Sequence, residues 1–247
     1  MGKLLYLGCG NHRMAGFTHV ELNLSKDQRG APDVVADIAD HIPLPDGCAD
    51  LVFSRGTLEH LTFNELINCL LETNRLLRAG GAVRMLVPDL DIMVRDYLDR
   101  KYEKIGWDDP NTPNENYVDY FIARLLYHDH YYLHNFDTLS RVLAKTGFEN
   151  IQEAKPGESI IAEARGELLK AETGRLNQEI LIEAIKSDRP PTAQRWERPW
   201  PRSPHRRWLA RVLNVDIRPY VRRRAMFPSS KWFRERKLLR QQRRRHV

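Results

Sequence analysis

Five short apolar runs fall within the first 90 residues, and each is closed by a residue suited to ending a strand or touching a ligand. Lys3–Leu7 runs into Gly8-Cys9-Gly10, and Thr18–Leu22 contains Glu21 near its end. Val34–Asp37 ends on an acid, Asp50–Ser54 on a hydroxyl, and Ala82–Val87 stops at Pro88. Runs this short and this apolar predict buried strands. Between the fourth and fifth, Thr62–Leu77 places Phe63, Leu66, Ile67, Leu70, Leu71, Leu76 and Leu77 at helical spacing, with Gly80-Gly81 expected as its C-cap. Strands alternating with helices or loops predict an α/β fold with a doubly wound, mostly parallel sheet. Ligands of such sheets bind beyond the carboxyl ends of the strands.

Further along, helices are expected over Leu90–Tyr102, Tyr117–Tyr127 and Phe136–Thr146, with a polar loop over Lys104–Asn116. Strands are expected over Ile151–Ala154 and Glu179–Ile185, bridged by a helix over Glu163–Lys170. After Ser187 the composition changes, because Pro190, Pro191, Pro199, Pro201 and Pro204 crowd into fifteen residues and predict an extended linker. The expected organisation is therefore a body over 1–187, with an insertion at 89–134 that would cover a bound substrate, and a Pro-rich linker and basic tail over 188–247.

Charge divides at the same place. Residues 1–185 carry 19 Lys and Arg against 29 Asp and Glu, a net −10, whereas residues 186–247 carry 20 against 4, a net +16. An acidic body with a basic tail implies that the tail meets an anionic partner. Four of the five tryptophans (Trp196, Trp200, Trp208 and Trp232) lie in that tail, and His205–Val215 gathers Trp208, Leu209, Val212 and Leu213 on one helical face. A second short basic helix is expected over Lys231–Arg244. Three readings stay open: an anionic membrane surface, RNA, or a solvated extension. Cys9, Cys48 and Cys69 are odd in number and contain no CxxC pair, which excludes a disulfide framework and a cysteine zinc site. Met1-Gly2-Lys3 leads straight into the first strand and not into a signal-peptide core, and no apolar run is long enough to span a bilayer. A cytoplasmic chain, at most peripheral on a membrane, is expected.

Two glycines in the turn after the first strand let a ligand approach the backbone closely. Glu21, eleven residues past Gly10, stands where a carboxylate can accept both hydroxyls of a ribose, and Asp37 ends the next strand. Together they describe a nucleoside site.

These residues resemble the class I S-adenosylmethionine-dependent methyltransferases of the methyltransferase domain 11 type. Leu7-Gly8-Cys9-Gly10 is similar to that family's first motif, and Val20-Glu21-Leu22 to its ribose motif. Asp37-Ile38 with Pro43-Leu44-Pro45-Asp46 resembles the adenine-side motif. Ala49–Ser54 followed by Leu58-Glu59-His60-Leu61 is similar to the fourth strand and its LEHL continuation, and Arg75–Gly81 to the turn before strand five. The resemblance covers residues 3–186 and implies a Rossmann-like, mostly parallel seven-stranded sheet with an antiparallel last strand. It implies S-adenosyl-L-methionine as cofactor, bound by Gly8, Cys9, Gly10, Glu21, Asp37, Ile38, Ser54 and Leu58. Tyr6 and His12 depart from the first motif, and only ten residues separate Gly10 from Glu21, so the usual first helix must be shortened or replaced by a loop. Similarly trimmed members with such an opening suggest a sugar, glycan or lipid-linked acceptor with a hydroxyl nucleophile.

A hydroxyl acceptor needs a base. His60, just past the fourth strand, is a candidate by position and pKa; packing or capping at a helix start is the competing role. Tyr127–His134 gathers His128, Asp129, His130 and His134 among tyrosines, and His128, His130 and His134 are expected on the acceptor side. His and Asp are also ordinary metal ligands, but an aromatic helix end is the preferred reading and no metal is expected.

Overall fold

The computed structural model describes residues 2–10, 12–22, 31–102, 115–127, 130–164, 168 and 179–197. The chain divides into two compact units, Met1–Pro199 and Trp200–Val247. The second unit, with the expected helices over 205–215 and 231–244, lies outside the described residues. So do His128, most of the loop expected over 104–116 and most of the bridge over 163–170.

Seven strands form one sheet in the order β3-β2-β1-β4-β5-β7-β6: β1 Lys3–Leu7, β2 Phe17–Glu21, β3 Val34–Val35, β4 Ala49–Arg55, β5 Leu77–Pro88, β6 Phe148–Glu153 and β7 Glu179–Lys186. Pairing is parallel from β3 through β5, while β7 runs antiparallel to both β5 and β6. The strand order reverses between β1 and β4, so the crevice for a ligand opens where these two strands end.

Successive strand residues face opposite ways, and both faces are covered. Leu5, Leu7, Val52, Val83, Met85 and Ile182 pack with α1 (Phe63–Leu76) and α4 (Phe136–Lys145). Tyr6, Leu51, Phe53, Leu86 and Leu181 pack with Ile161, Ala164 and Leu168. That second layer is pinned by a buried ion pair. Arg84 of β5 faces Glu183 of β7 in register, both fully buried, and Glu183 also accepts from the Ser159 hydroxyl and from the Ile160 N–H at 3.1 Å. A buried pair persists when its remaining lone pairs are satisfied in this way.

Helix α1 begins with a capping box: Thr62 accepts from the Glu65 N–H, and Glu65 accepts from the Thr62 N–H. Its end differs from expectation. The helix stops at Leu76, and Leu77 is already extended and paired with Ala49, so Gly80-Gly81 lie in an irregularity of β5 and not in a helical cap. Between β1 and β2 no helix occurs among the described residues. The loop is held instead by His19, whose Nε2 accepts from the Met14 N–H at 2.9 Å while its Nδ1 faces Asp33 at 2.9 Å.

After β5, the described part of the insertion contains α2 (Leu90–Leu98), α3 (Tyr117–Ile122) and a π-helical turn (Ala123–Tyr127). Past β7, residues 187–197 run along the body. The Thr192 and Ala193 N–H groups donate to the Lys145 carbonyl, and Trp196 pairs through its backbone with both ends of the Asn68 amide, at 2.8 and 3.0 Å.

Candidate functional site

The glycine turn after β1 meets the turn after β4 at one tight contact. Gly8 has φ +66°, and a Cβ there would lie 2.2 Å from the Thr57 methyl carbon. The Thr57 hydroxyl donates toward the Gly8 carbonyl at 3.1 Å. Gly10, at φ +52°, is the opposite case: a Cβ there would meet nothing within 4 Å. Glycine is thus required at Gly8 by packing, while at Gly10 the backbone borders open space, as a ligand cradle does. Arg13 ties the loop together by donating to the Gly10 and His12 carbonyls at 2.9 and 2.8 Å and toward Cys9 Sγ at 3.1 Å. Burial pushes the Cys9 thiol up to about 11, against the opposing pull of Arg13, so it packs as a neutral thiol.

Glu21, at the end of β2, reaches back over this loop. Its Oε2 accepts from the Gly10 N–H at 3.0 Å and its Oε1 from the Leu22 N–H at 2.7 Å. A carboxylate in this position accepts hydrogen bonds from hydroxyl donors. Strand β3 stops at Val35, so Asp37 sits in the following turn, where it accepts from the Ala39 N–H, and Ile38 is buried beside it. On the other side of the crevice, Ser54 near the end of β4 has a buried hydroxyl without a hydrogen-bond partner, and Leu58 is buried in the 3₁₀ turn Leu58–His60.

That turn also builds the far wall. The Glu59 carbonyl accepts from the Tyr131 and Tyr132 N–H groups at 2.8 and 3.3 Å, and the His134 carbonyl accepts from the Leu90 N–H at 2.8 Å. Residues 130–134 are thereby stitched between the turn and the start of α2. The rings of His60 and His130 meet at 5.0 Å between centroids, at 66°. His134 is fully buried; desolvation lowers its pKa to about 4, against the backbone of Leu58, so its imidazole is neutral near pH 7. The Glu59 side chain, 3 % exposed, points into the same cluster. Desolvation raises its pKa to about 7 against a hydrogen bond from its own backbone, with Glu179 adding to the shift and Arg124 opposing it.

The structure therefore brings Gly8, Cys9, Gly10 and Glu21 to one side of the crevice and Ser54, Leu58 and His60 to the other, with His130 and His134 behind. Two participants escaped the sequence reading. Thr57 carries no signal, because its role is contact with a residue 49 positions away. Glu59 did have one, as an acid directly before a histidine at a strand end.

Residues 5–85 match the family model described as "Methyltransferase domain". Over these 81 of its 247 residues the chain is similar to a methyltransferase domain. S-adenosylmethionine is the cofactor of this domain type. Solved structures of similar fold include a methyltransferase from Thermotoga maritima described as a possible histamine N-methyltransferase (19 % identity, 76 % of this chain, 83 % of that one, TM-score 0.47). Others are an S-adenosylmethionine-dependent methyltransferase from Archaeoglobus fulgidus (17 %, 75 % and 86 %, 0.44) and phosphoethanolamine N-methyltransferase 2 of Haemonchus contortus, solved with S-adenosyl-L-methionine (15 %, 76 % and 49 %, 0.45). This chain spans about half the length of the last. No curated protein matches it.

The residues present fit the cofactor. Open space at Gly10, the Glu21 carboxylate beside it and an unsatisfied buried hydroxyl at Ser54 are the features a nucleoside would complete. Among the described residues no helix is long and apolar enough to cross a membrane.

Proposed function

We propose that this methyltransferase methylates a hydroxyl of a sugar, glycan or lipid-linked intermediate. The observation that supports the reading is the His60–His130 contact beyond the carboxyl end of β4, since an imidazole there is suited to taking the proton of an acceptor hydroxyl. When bound, S-adenosylmethionine would supply an electrophilic methyl group for in-line transfer to the acceptor oxygen, the electron pair of the broken carbon–sulfur bond remaining on sulfur. The chain does the rest. Gly8, Cys9 and Gly10 would border the cofactor, Glu21 would hold its ribose, Asp37 and Ile38 would flank its base, and Ser54 and Leu58 would close the crevice. His60 takes the hydroxyl proton, and residues 89–134 exclude water and hold the acceptor in near-attack geometry. Val94, Leu98, Val118 and Ile122 are exposed apolar residues on α2 and α3, a surface suited to a lipid-linked acceptor.

The test is release of S-adenosylhomocysteine across hydroxylated sugars, lipid extracts and RNA. A sugar or lipid acceptor should give turnover that His60→Ala lowers by about 100-fold with cofactor binding unchanged; full turnover in that variant removes His60 from the mechanism.

The charge of residues 186–247 favours a second feature, attachment of residues 188–247 to an anionic membrane surface. Full-length chain should float with phosphatidylglycerol vesicles and a chain ending at Glu197 should not; equal flotation would sink this assignment. The same charge supports RNA methylation as the alternative. Turnover on RNA, with binding that falls steeply with salt, would establish it. A non-catalytic nucleoside-binding scaffold would bind the cofactor and release no product with any acceptor.

A further inference from the structure

Glu59, His60 and His130 converge although roughly 70 residues separate the first two from the third. One carboxylate oxygen and two imidazole nitrogens all lie within 4.8 Å of one another. The centre of three atoms at that spacing is within about 2.8 Å of each, so closing to the roughly 2.1 Å of a metal–nitrogen or metal–oxygen bond takes less than about 1 Å of side-chain movement. Independently, the Glu59 Oε2 atom is buried without a hydrogen-bond partner, which calls for an explanation in a side chain only 3 % exposed. The backbone already holds the group together, since the Glu59 carbonyl binds the two N–H groups that follow His130.

We propose that Glu59, His60 and His130 bind one divalent transition-metal cation at the acceptor side of the crevice. Two imidazoles and a carboxylate form a donor set for Zn²⁺, Co²⁺, Mn²⁺ or Fe²⁺ in preference to Mg²⁺, which favours all-oxygen surroundings. Three protein ligands leave positions open for water or for an acceptor hydroxyl, as in catalytic rather than structural metal sites. Cation binding stands by itself; its use in catalysis rests on the methyl-transfer reading above. In that setting the cation would orient the hydroxyl and lower its pKa, and where the cation is bound this would take the place of proton removal by His60.

The test uses the full chain, without an affinity tag and stripped of metal, titrated with Co²⁺ alone by calorimetry and visible absorption. The expected result is one equivalent bound, with d–d bands of a nitrogen- and oxygen-ligated ion, and Mg²⁺ binding about 100-fold more weakly. His130→Ala and Glu59→Gln should each weaken Co²⁺ binding by about 100-fold, while His41→Ala, at a distant exposed site, should leave it unchanged. Thermal melts and cofactor titration of each variant separate loss of the site from loss of the fold, and if Glu59→Gln does not fold, His130→Ala decides alone. Absence of saturable one-to-one binding, or binding indifferent to His130→Ala, overturns the proposal. A chain that binds S-adenosylmethionine but not Co²⁺ sinks only the cation, whereas one that binds Co²⁺ but no cofactor sinks the methyl-transfer reading and spares the cation site.

Discussion

The two walls of the crevice are built on different length scales. The cofactor wall is local: Gly10 and Glu21 hydrogen-bond across 11 residues, and His19 and Met14 close the intervening loop across five. The acceptor wall is assembled from afar, with the 3₁₀ turn at Leu58–His60 joined to residues 130–134. Local walls need few correct contacts and can be read as motifs. A wall made by long-range docking depends on the sheet and both flanking layers being in place first, because loop closure over some 70 residues must be offset by packing.

Four changes would break or sharpen this contrast. Gly8→Ala should have the largest effect, because Gly8 is the joint between the walls. A Cβ adds left-handed strain and collides with Thr57, for a loss of about 3 kcal/mol or more in stability, measured by chemical denaturation. Adding Thr57→Gly to it should recover the part due to the collision and not the part due to strain.

Glu21→Ala should strike one wall only. Losing the carboxylate should weaken S-adenosylmethionine binding by about 30-fold in calorimetry, and leave Co²⁺ binding untouched. If both ligands were lost together, the walls would not be independent.

Glu72, on α1 away from the crevice, should move stability without touching either ligand. Burial alone would raise its pKa, but its bonds to Arg75 and to the Ile42 N–H outweigh that and hold the carboxyl below its ordinary value. A lowered folded-state pKa contributes stability that is present above the unfolded value and is lost as pH falls through the folded one. Glu72→Gln should therefore melt lower than wild type at about pH 6, with the gap closing toward about pH 3.

The smallest effect is expected for Asn68→Ala, which removes the paired bonds to the Trp196 backbone. About 1 kcal/mol of stability should be lost, seen as faster hydrogen exchange over 190–197.

Legibility in the sequence followed the same division. The strands were visible because buried parallel strands are near-continuous apolar runs, and the missing first helix was visible as a gap of ten residues. Gly8, Gly10 and Glu21 could be placed because strand, turn and acid follow one another along the chain. The C-cap at Gly80-Gly81 was misplaced, because the pairing of Leu77 with Ala49 across the sheet ends α1 earlier than the local glycine signal suggests.

Local order along the chain fixes a strand, its glycine turn and the acid that follows, since these depend on backbone freedom and short-range alternation. Histidines and an acid from distant segments gain their chemistry only from who meets whom. The tertiary structure decided that His60 faces His130, that Glu59 is buried beside them, and that His134 is held neutral, because burial and proximity, which set pKa and ligation, exist only once the chain has packed.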